Sequence, residues 1–342
     1  MKSTFLNAIN QCNEEHIPVW FMRQAGRYLP EYMELKDKHS FKTRTHTPDL
    51  MTEISLQPLR RYPLDAAIMF SDILTPLEFM GAEFDFSSGG PKLQNAGEST
   101  LRNIQPLNTD DMAFVYEGIG KIKEQIGEKP LIGFVGAPFT LASYIVEGGT
   151  SKEFSKVKHF LFSNEKEFSK AMQTLASSVG HYLKAQMQAG VDAVQIFDSW
   201  VGFLNQDMYE KHILPHMQEL IGIAREGGKP IILYSQPSSH LLTSFAKLQT
   251  DAISIDWRVR LDEVAETLDK VGYKGSFQGN LDPVATTLNW EDAKFYVEDV
   301  LSRAKKANIL NRYIFNVGHG VIPTTKFETI EKIVEHVHSF RN

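Results

Sequence analysis

One cysteine, Cys12, is all that a chain of 342 residues supplies. No intrachain disulfide can form, and any metal site would have to be built from other ligands. A strong charge bias is also missing: the formal net charge is −6 and no lysine- or arginine-rich run stands out, so nucleic acid is not an expected partner. Nothing approaches the ~18 apolar residues of a membrane span, and the opening MKSTFLNAINQ lacks the apolar segment of a signal peptide. The expectation is a cytoplasmic protein without a membrane partner. No G-x-G-x-x-G follows the first apolar run, which weighs against a Rossmann domain. Gly148-Gly149-Thr150-Ser151-Lys152 lacks the spacing of a phosphate loop and reads as a helix end. Without an internal repeat, a low-complexity tract or a linker rich enough to divide it, the chain reads as a single domain over 1–342.

What is present is alternation. Eight short apolar runs read as buried parallel strands, at 17–21, 65–70, 131–135, 193–197, 230–234, 252–255, 275–278 and 313–317. Helical patterns lie between them. Thr47-Pro48-Asp49 offers an N-cap, a first-turn proline and an acid at the positive end of the helix dipole. Asn164 with Glu167 resembles a capping box, and Phe168, Met172, Leu175, Val179 and Tyr182 then form an apolar stripe. Thr109 and Asn289 mark two further helix starts. Eight strands alternating with helices predict an α/β fold, a single (β/α)8 TIM-type barrel. The stretch 81–106 is an irregular insertion after the second strand, expected to form a small hairpin around Ser88-Gly89-Gly90. The segment 41–46, with Arg44, reads as a surface loop.

Active sites of such barrels lie at the C-terminal ends of the strands. Those ends carry Arg23 and Arg27, Asp72, Ser199, Asp256 and Arg258, Gln278 and Asn280, and His319, with Tyr144 on the segment after the third strand. Arg23-Gln24-Ala25-Gly26-Arg27 sets two guanidiniums around a glycine that permits a tight turn or close approach. Each guanidinium can grip a carboxylate or phosphate with two parallel hydrogen bonds, or simply pair with a structural acid such as Glu31. Asp72 and Ser199 also suit helix N-caps, Tyr144 a core position and His319 a turn between Gly318 and Gly320. Asp256 and Arg258 read as an internal ion pair at the barrel mouth. His212/His216 and His336/His338 have no third ligand nearby in sequence, so no metal site is expected. Ser199 has no obvious histidine base, which leaves a hydrolase triad weakly supported. Together the set suits a large polyanion with a central polar feature.

The stretch PVWFMRQAGRYLPEY at 18–32 resembles the N-terminal signature of the uroporphyrinogen decarboxylase family. Further family-like segments follow in the same order: MFSDILTPLE, GFVGAPFTLASYIVEGG, FDSWVG, ISIDWR, QGNLDP and FNVGHG, so the resemblance spans essentially the whole chain. It implies a porphyrin-biosynthetic carboxy-lyase that uses no cofactor and turns each acetate arm of a flexible tetrapyrrole into a methyl group. It also implies a homodimer. Carried over residue by residue, it puts Arg23, Gln24, Ala25, Gly26 and Arg27 against the substrate, with the arginines on its carboxylate arms. Asp72 falls at the centre, accepting from the pyrrole N–H groups, and Tyr144, Ser199 and His319 fall on further substrate contacts. Asp72, Arg23 and Tyr144 are the implied catalytic residues. The segment 234–240, YSQPSSH, matches no family motif.

Two rivals differ in kind. A corrinoid-dependent methyltransferase of the same superfamily would need thiolate- and imidazole-bound zinc, and Cys12 precedes the first strand, away from the catalytic rim. A non-catalytic tetrapyrrole carrier would need the arginines but not Asp72.

Overall fold

The computed structural model describes residues 3–86 and 90–340. Seven strands form the central sheet: β1 (Ala67–Ile68), β2 (Leu131–Gly136), β3 (Ala193–Asp198), β4 (Ile231–Ser235), β5 (Ala252–Ser254), β6 (Ser276–Leu281) and β7 (Tyr313–Val317). Their order in the sheet is their order in the chain, and every neighbouring pair is parallel. Consecutive parallel neighbours require a helical crossover each time, so the sheet curls in one sense and the fold is TIM-barrel-like.

Among the described residues the count of eight strands is corrected to seven. The first expected strand, 17–21, makes only one ladder bridge, Val19 to Phe315. It is nevertheless tied on both sides. Phe315 N–H donates to Pro18 O at 2.9 Å and Trp20 N–H to Phe315 O at 3.4 Å; on the other side Asp65 N–H donates to Val19 O at 2.9 Å. Val19 N–H turns to the Asp65 carboxylate at 2.7 Å instead of a backbone carbonyl. Pro18 has no N–H to give, and a side chain has taken one ladder position, so the regular pattern is interrupted. The second expected strand shortens to two residues for a related reason: Phe70 N–H is taken by Ser55 Oγ at 2.8 Å.

Apolar residues pack in two layers. Within the curl lie Trp20, Met22, Ala66, Ile132, Ala193, Ile232, Tyr234, Ala252 and Ile314, joined by Phe5, Ala8 and Ile9 of the short helix Thr4–Ile9. Ser276 Oγ donates to Ala8 O at 2.8 Å, which plants that helix at the start of β6, under the N-terminal mouth. The second, larger cluster fills the space between strands and helices. It takes the stripe Phe168, Met172, Leu175, Val179 and Tyr182 of helix Glu165–Ala189, all buried as the periodicity predicts.

Other local expectations change. Asn164 occupies the N-cap but makes no side-chain cap bond; its amide donates to Ser163 Oγ, so there is no capping box. Thr47 and Asn289 hold N-cap positions, also without side-chain caps, while Thr109 opens a 3-10 turn that precedes helix Ala113–Lys123. The segment Phe41–His46 is a helix, not a surface loop, and Arg44 is buried, donating to the Tyr32 hydroxyl at 2.6 Å and to His39 O at 3.2 Å. Of the insertion 81–106, one antiparallel bridge joins Asp85 and Lys92, and helix Glu98–Arg102 follows; the expected turn at Ser88-Gly89 lies outside the described residues. Among the described residues no helix is long and apolar enough to cross a membrane.

Candidate active site

The C-terminal ends of the strands bring the expected residues to one rim. Arg23 and Arg27 follow the segment 18–21, Asp72 follows β1, and Tyr144 sits on helix Pro138–Glu147 after β2. Ser199 directly follows β3 and His319 lies two residues past β7. Asp72, Tyr144, Ser199 and His319 are partly buried, whereas Arg23 and Arg27 are exposed.

The loop that carries the arginines is held by side chains turned inward. Asn316 Oδ1 accepts from Met22 N–H at 3.0 Å and from Val317 N–H at 2.8 Å, which ties the loop to β7. Gln24 is fully buried, accepting from Phe21 N–H at 3.1 Å and donating to Ala66 O at 3.2 Å. Gln24 therefore anchors this loop to β1, and its side chain is committed to that task. Arg23 has a φ of +63°, a left-handed conformation that L-residues hold only when their surroundings insist. Its side chain lies across Gly320, where a Cβ would stand 2.7 Å from Arg23 Cδ. A Cβ on Gly318 would collide with the Trp257 backbone nitrogen. Close backbone approach thus demands glycine at 318, while a side chain at 320 would have to push the Arg23 side chain aside.

Neither arginine has an ion-pair or hydrogen-bond partner among the described residues. Glu31, the acid that a structural role would have used, is taken by Arg61 at 2.9 Å. An unpaired guanidinium can grip an anion that is not part of the chain with two parallel hydrogen bonds. The Arg23 charge is felt by four groups around it: Asp72, Tyr144, Tyr234 and His319. It is the electrostatic hub of the rim.

Asp72 has two faces. Oδ1 accepts from Leu74 N–H at 2.8 Å, a local cap on the turn, while Oδ2 makes no bond among the described residues. Burial pushes its carboxyl up to about 6, against the Leu74 N–H and Arg23, which favour the ionised form. At neutral pH it is an anion with a free acceptor atom. Burial, then the Asp72 charge, pushes the Tyr144 phenol up to about 12, so Tyr144 stays a neutral donor. Burial, reinforced by Arg23 and Arg258, takes His319 down to about 4. Its Nδ1 accepts from Gly320 N–H at 2.7 Å, which assigns the remaining proton of the neutral ring to Nε2. His319 thus presents an N–H donor.

Some expected rim residues turn out to brace the barrel. Gln278 lies inside it, accepting from Trp20 Nε1 at 2.9 Å and donating to Gln195 and Ser254 at 3.0 Å. Asn280 Nδ2 donates to Asp256 O at 3.0 Å and Val259 O at 2.8 Å. Asp256 pairs with Arg258 at 2.7 Å, as expected, and that guanidinium sits 3.7 Å from the centre of the Trp257 ring. Tyr234 was not foreseen. It stands next to last in β4 beside Phe197 and His319, with ring centroids 5.4 and 6.4 Å away, in the segment that matched no motif. Its only sequence signal is an aromatic with a polar tip at the end of an apolar run.

His338 meets two partners far from it in sequence. His16 Nε2 and His338 Nε2 each lie 2.8 Å from a different oxygen of Asp65. These three could approach a metal ion, but Asp65 also accepts from Val19 N–H and from Thr4 Oγ1 at 3.1 Å. Four donors fill the roughly four acceptor sites of a carboxylate. The cluster is a hydrogen-bonded hub at the N-terminal mouth, opposite the rim.

Comparison with known proteins places the chain in a family. The family model for uroporphyrinogen decarboxylase matches residues 1–340. The chain is 42% identical to a uroporphyrinogen decarboxylase of Carboxydothermus hydrogenoformans, over 99% of this chain and 96% of that protein. It is 40% identical to one of Staphylococcus epidermidis, over 98% and 95%. Among solved structures, a methyltransferase from Methanosarcina mazei superposes with a TM-score of 0.77, covering 98% of this chain and 97% of that one at 17% identity, a likeness of fold alone. Extent and identity together decide the matter: this chain belongs to the uroporphyrinogen decarboxylase family.

Proposed function

We propose that this protein removes carbon dioxide from the acetate arms of uroporphyrinogen III, leaving methyl groups and giving coproporphyrinogen III, without a metal or organic cofactor. The observation that carries this reading is the exposed Arg23, whose charge acts on the partly buried Asp72, with neither guanidinium of Arg23 and Arg27 nor Asp72 Oδ2 having a partner among the described residues. Family membership supplies the substrate's identity. The reading also takes the chain as a single closed (β/α)8 domain, with the segment 18–21 as the eighth stave and a small hairpin insertion, within 81–106, after the second strand. A cytoplasmic homodimer that binds no nucleic acid completes it on family grounds; light scattering checks the oligomer.

Arg23 and Arg27 bind carboxylate arms. Asp72 Oδ2 faces the pyrrole N–H groups, which are donors only. Tyr144, Ser199 and His319 offer donors around the ring. Protonation of a pyrrole ring carbon makes the ring cationic, and Arg23, or a water hydrogen-bonded to it, delivers that proton. The bond to the carboxylate then breaks, its electron pair flows into the ring, and carbon dioxide leaves an exocyclic methylene. A second proton adds to that methylene to make the methyl, and the first leaves the ring carbon. The net cost is one proton for each carbon dioxide released. Ionised Asp72 favours the cationic ring over the neutral substrate, and this difference lowers the barrier.

Anaerobic incubation with uroporphyrinogen, followed by separation of products by carboxylate number, tests the reading. Stepwise loss of carboxylates is expected. Tight binding with no loss would instead make the chain a carrier.

A further inference from the structure

We propose that Asp198 is a positioning residue: acting through Thr140, it fixes the turn that carries Ser199 and Trp200 beside Tyr144. Asp198 ends β3, directly before Ser199, and its side chain is fully buried. Its Oδ1 accepts from Thr140 Oγ1 at 2.9 Å, and the same Oγ1 accepts from Trp200 N–H at 3.2 Å. A threonine hydroxyl has one proton to give and lone pairs to receive with. Because that proton goes to Asp198, the lone pairs face Trp200 N–H. Asp198 therefore decides which way the hydroxyl points, and the hydroxyl decides where the turn begins.

The relay reaches the rim by two routes. Ser199 lies within the bridged segment, between Asp198 and Trp200. Thr140 and Tyr144 stand one turn apart on helix Pro138–Glu147, on the same face. The Trp200 ring packs at 61° to Tyr144 with centroids 5.8 Å apart, and Phe154 backs it at 4.9 Å. One buried carboxyl thus joins the end of β3 to the helix after β2.

The other oxygen, Oδ2, is buried with no partner among the described residues, as is the hydroxyl of nearby Tyr209. An ionised carboxylate with a bare oxygen in such a place is costly, and burial pushes Asp198 up to about 7 in spite of the Thr140 bond. What the relay needs from Asp198 is the acceptor Oδ1 and not a negative charge. An amide supplies that acceptor equally well.

The inference rests on the decarboxylase reading for its kinetic consequence and on geometry alone for its structural one, so two measurements are paired. Steady-state decarboxylation of Asp198→Asn, Asp198→Ala, Thr140→Ser and Thr140→Val gives the first. Asp198→Asn and Thr140→Ser should stay within about threefold of the parent. Asp198→Ala and Thr140→Val should lose about tenfold to a hundredfold in kcat with little change in KM, the scale of a misplaced reacting group. The double variant should be no slower than the worse single, because both break one relay. Amide exchange over residues 197–203 gives the second: it should quicken in Asp198→Ala and Thr140→Val and not in the conservative pair. Parent-like exchange and turnover in Thr140→Val would overturn the inference, as would an Asp198→Asn as slow as Asp198→Ala. A parent with no turnover would sink the decarboxylase reading while the exchange pattern still decides this one.

Discussion

Asp72 is where two demands meet on one carboxylate. Oδ1 caps the Leu74 N–H, a task asparagine performs equally well, while the role proposed for Oδ2 needs an acceptor and a charge. Asp72→Asn should therefore keep its melting temperature and lose roughly 10²–10³ in kcat; thermal unfolding beside steady-state kinetics checks both. The carboxyl sits at about 6, raised by burial, so kcat/KM should fall as pH drops below that value and Asp72 takes up a proton. A pH profile that stays level down to 5 would remove the charge from the argument. For Arg23→Lys and Arg27→Lys the charge survives but the fork is lost, and each should drop kcat/KM by about ten- to a hundredfold. Parent-like kinetics in both would make the arginines bystanders. Gly320→Ala tests how Arg23 is held. A Cβ there would stand 2.7 Å from Arg23 Cδ, so activity should fall more than stability does. Most of these residues were legible in the sequence because strand order alone sends Arg23, Asp72, Ser199 and His319 to one rim. Tyr234 was not, since its meeting with His319 depends on how far the sheet curls.

At the scale of elements, the seam between the segment 18–21 and β1 departs most from regular geometry. Asp65 clasps Val19 with its own N–H and with its carboxylate, and it gathers His16 before the segment and His338 from the last helix, Phe327–Ser339. Asn in its place would turn one acceptor into a donor facing donors, so Asp65→Asn should cost about 1–3 kcal/mol of stability. Burial alone would raise the Asp65 carboxyl, but hydrogen bonds from His16 and His338 outweigh it and hold the group well below the usual range. Its contribution is present above its unfolded value, about 3.9, and fades as pH falls further. His16 works in the opposite sense. The Asp65 bond, resisted by burial, raises its pKa, so its stabilisation is complete below about 6.5 and is lost as pH rises through the folded value. Denaturant midpoints of the parent should drop more between pH 6 and 8 than those of His16→Gln; equal slopes would remove His16 from the seam. Apolar runs announce strands but not which backbone partner a proline or a carboxylate replaces, and that is why eight expected strands became seven. Arg44 departs from expectation for a similar reason: a charged residue in a short polar stretch reads as surface until Tyr32 and His39 supply its partners.

For the molecule as a whole, the distribution of charge matters more than its sum. A net charge of −6 coexists with a rim whose two exposed arginines are unpaired among the described residues, so the cleft can draw in a polyanion that the rest of the surface would repel. The same rim holds a carboxylate, a neutral imidazole and a neutral phenol, groups suited to stabilise a cationic ring and to supply hydrogen bonds. The central claim is that these side chains alone carry out protonation, loss of carbon dioxide and reprotonation. Its most direct test is anaerobic turnover of uroporphyrinogen in deuterium oxide by extensively chelated and dialysed protein, read by mass and NMR at the new methyl groups. The expected result is a rate equal to that of untreated protein in the same deuterated solvent and one solvent deuteron in each methyl that replaces an acetate. A rate restored only by added metal or cofactor, or methyl groups formed without solvent deuterium, would contradict it.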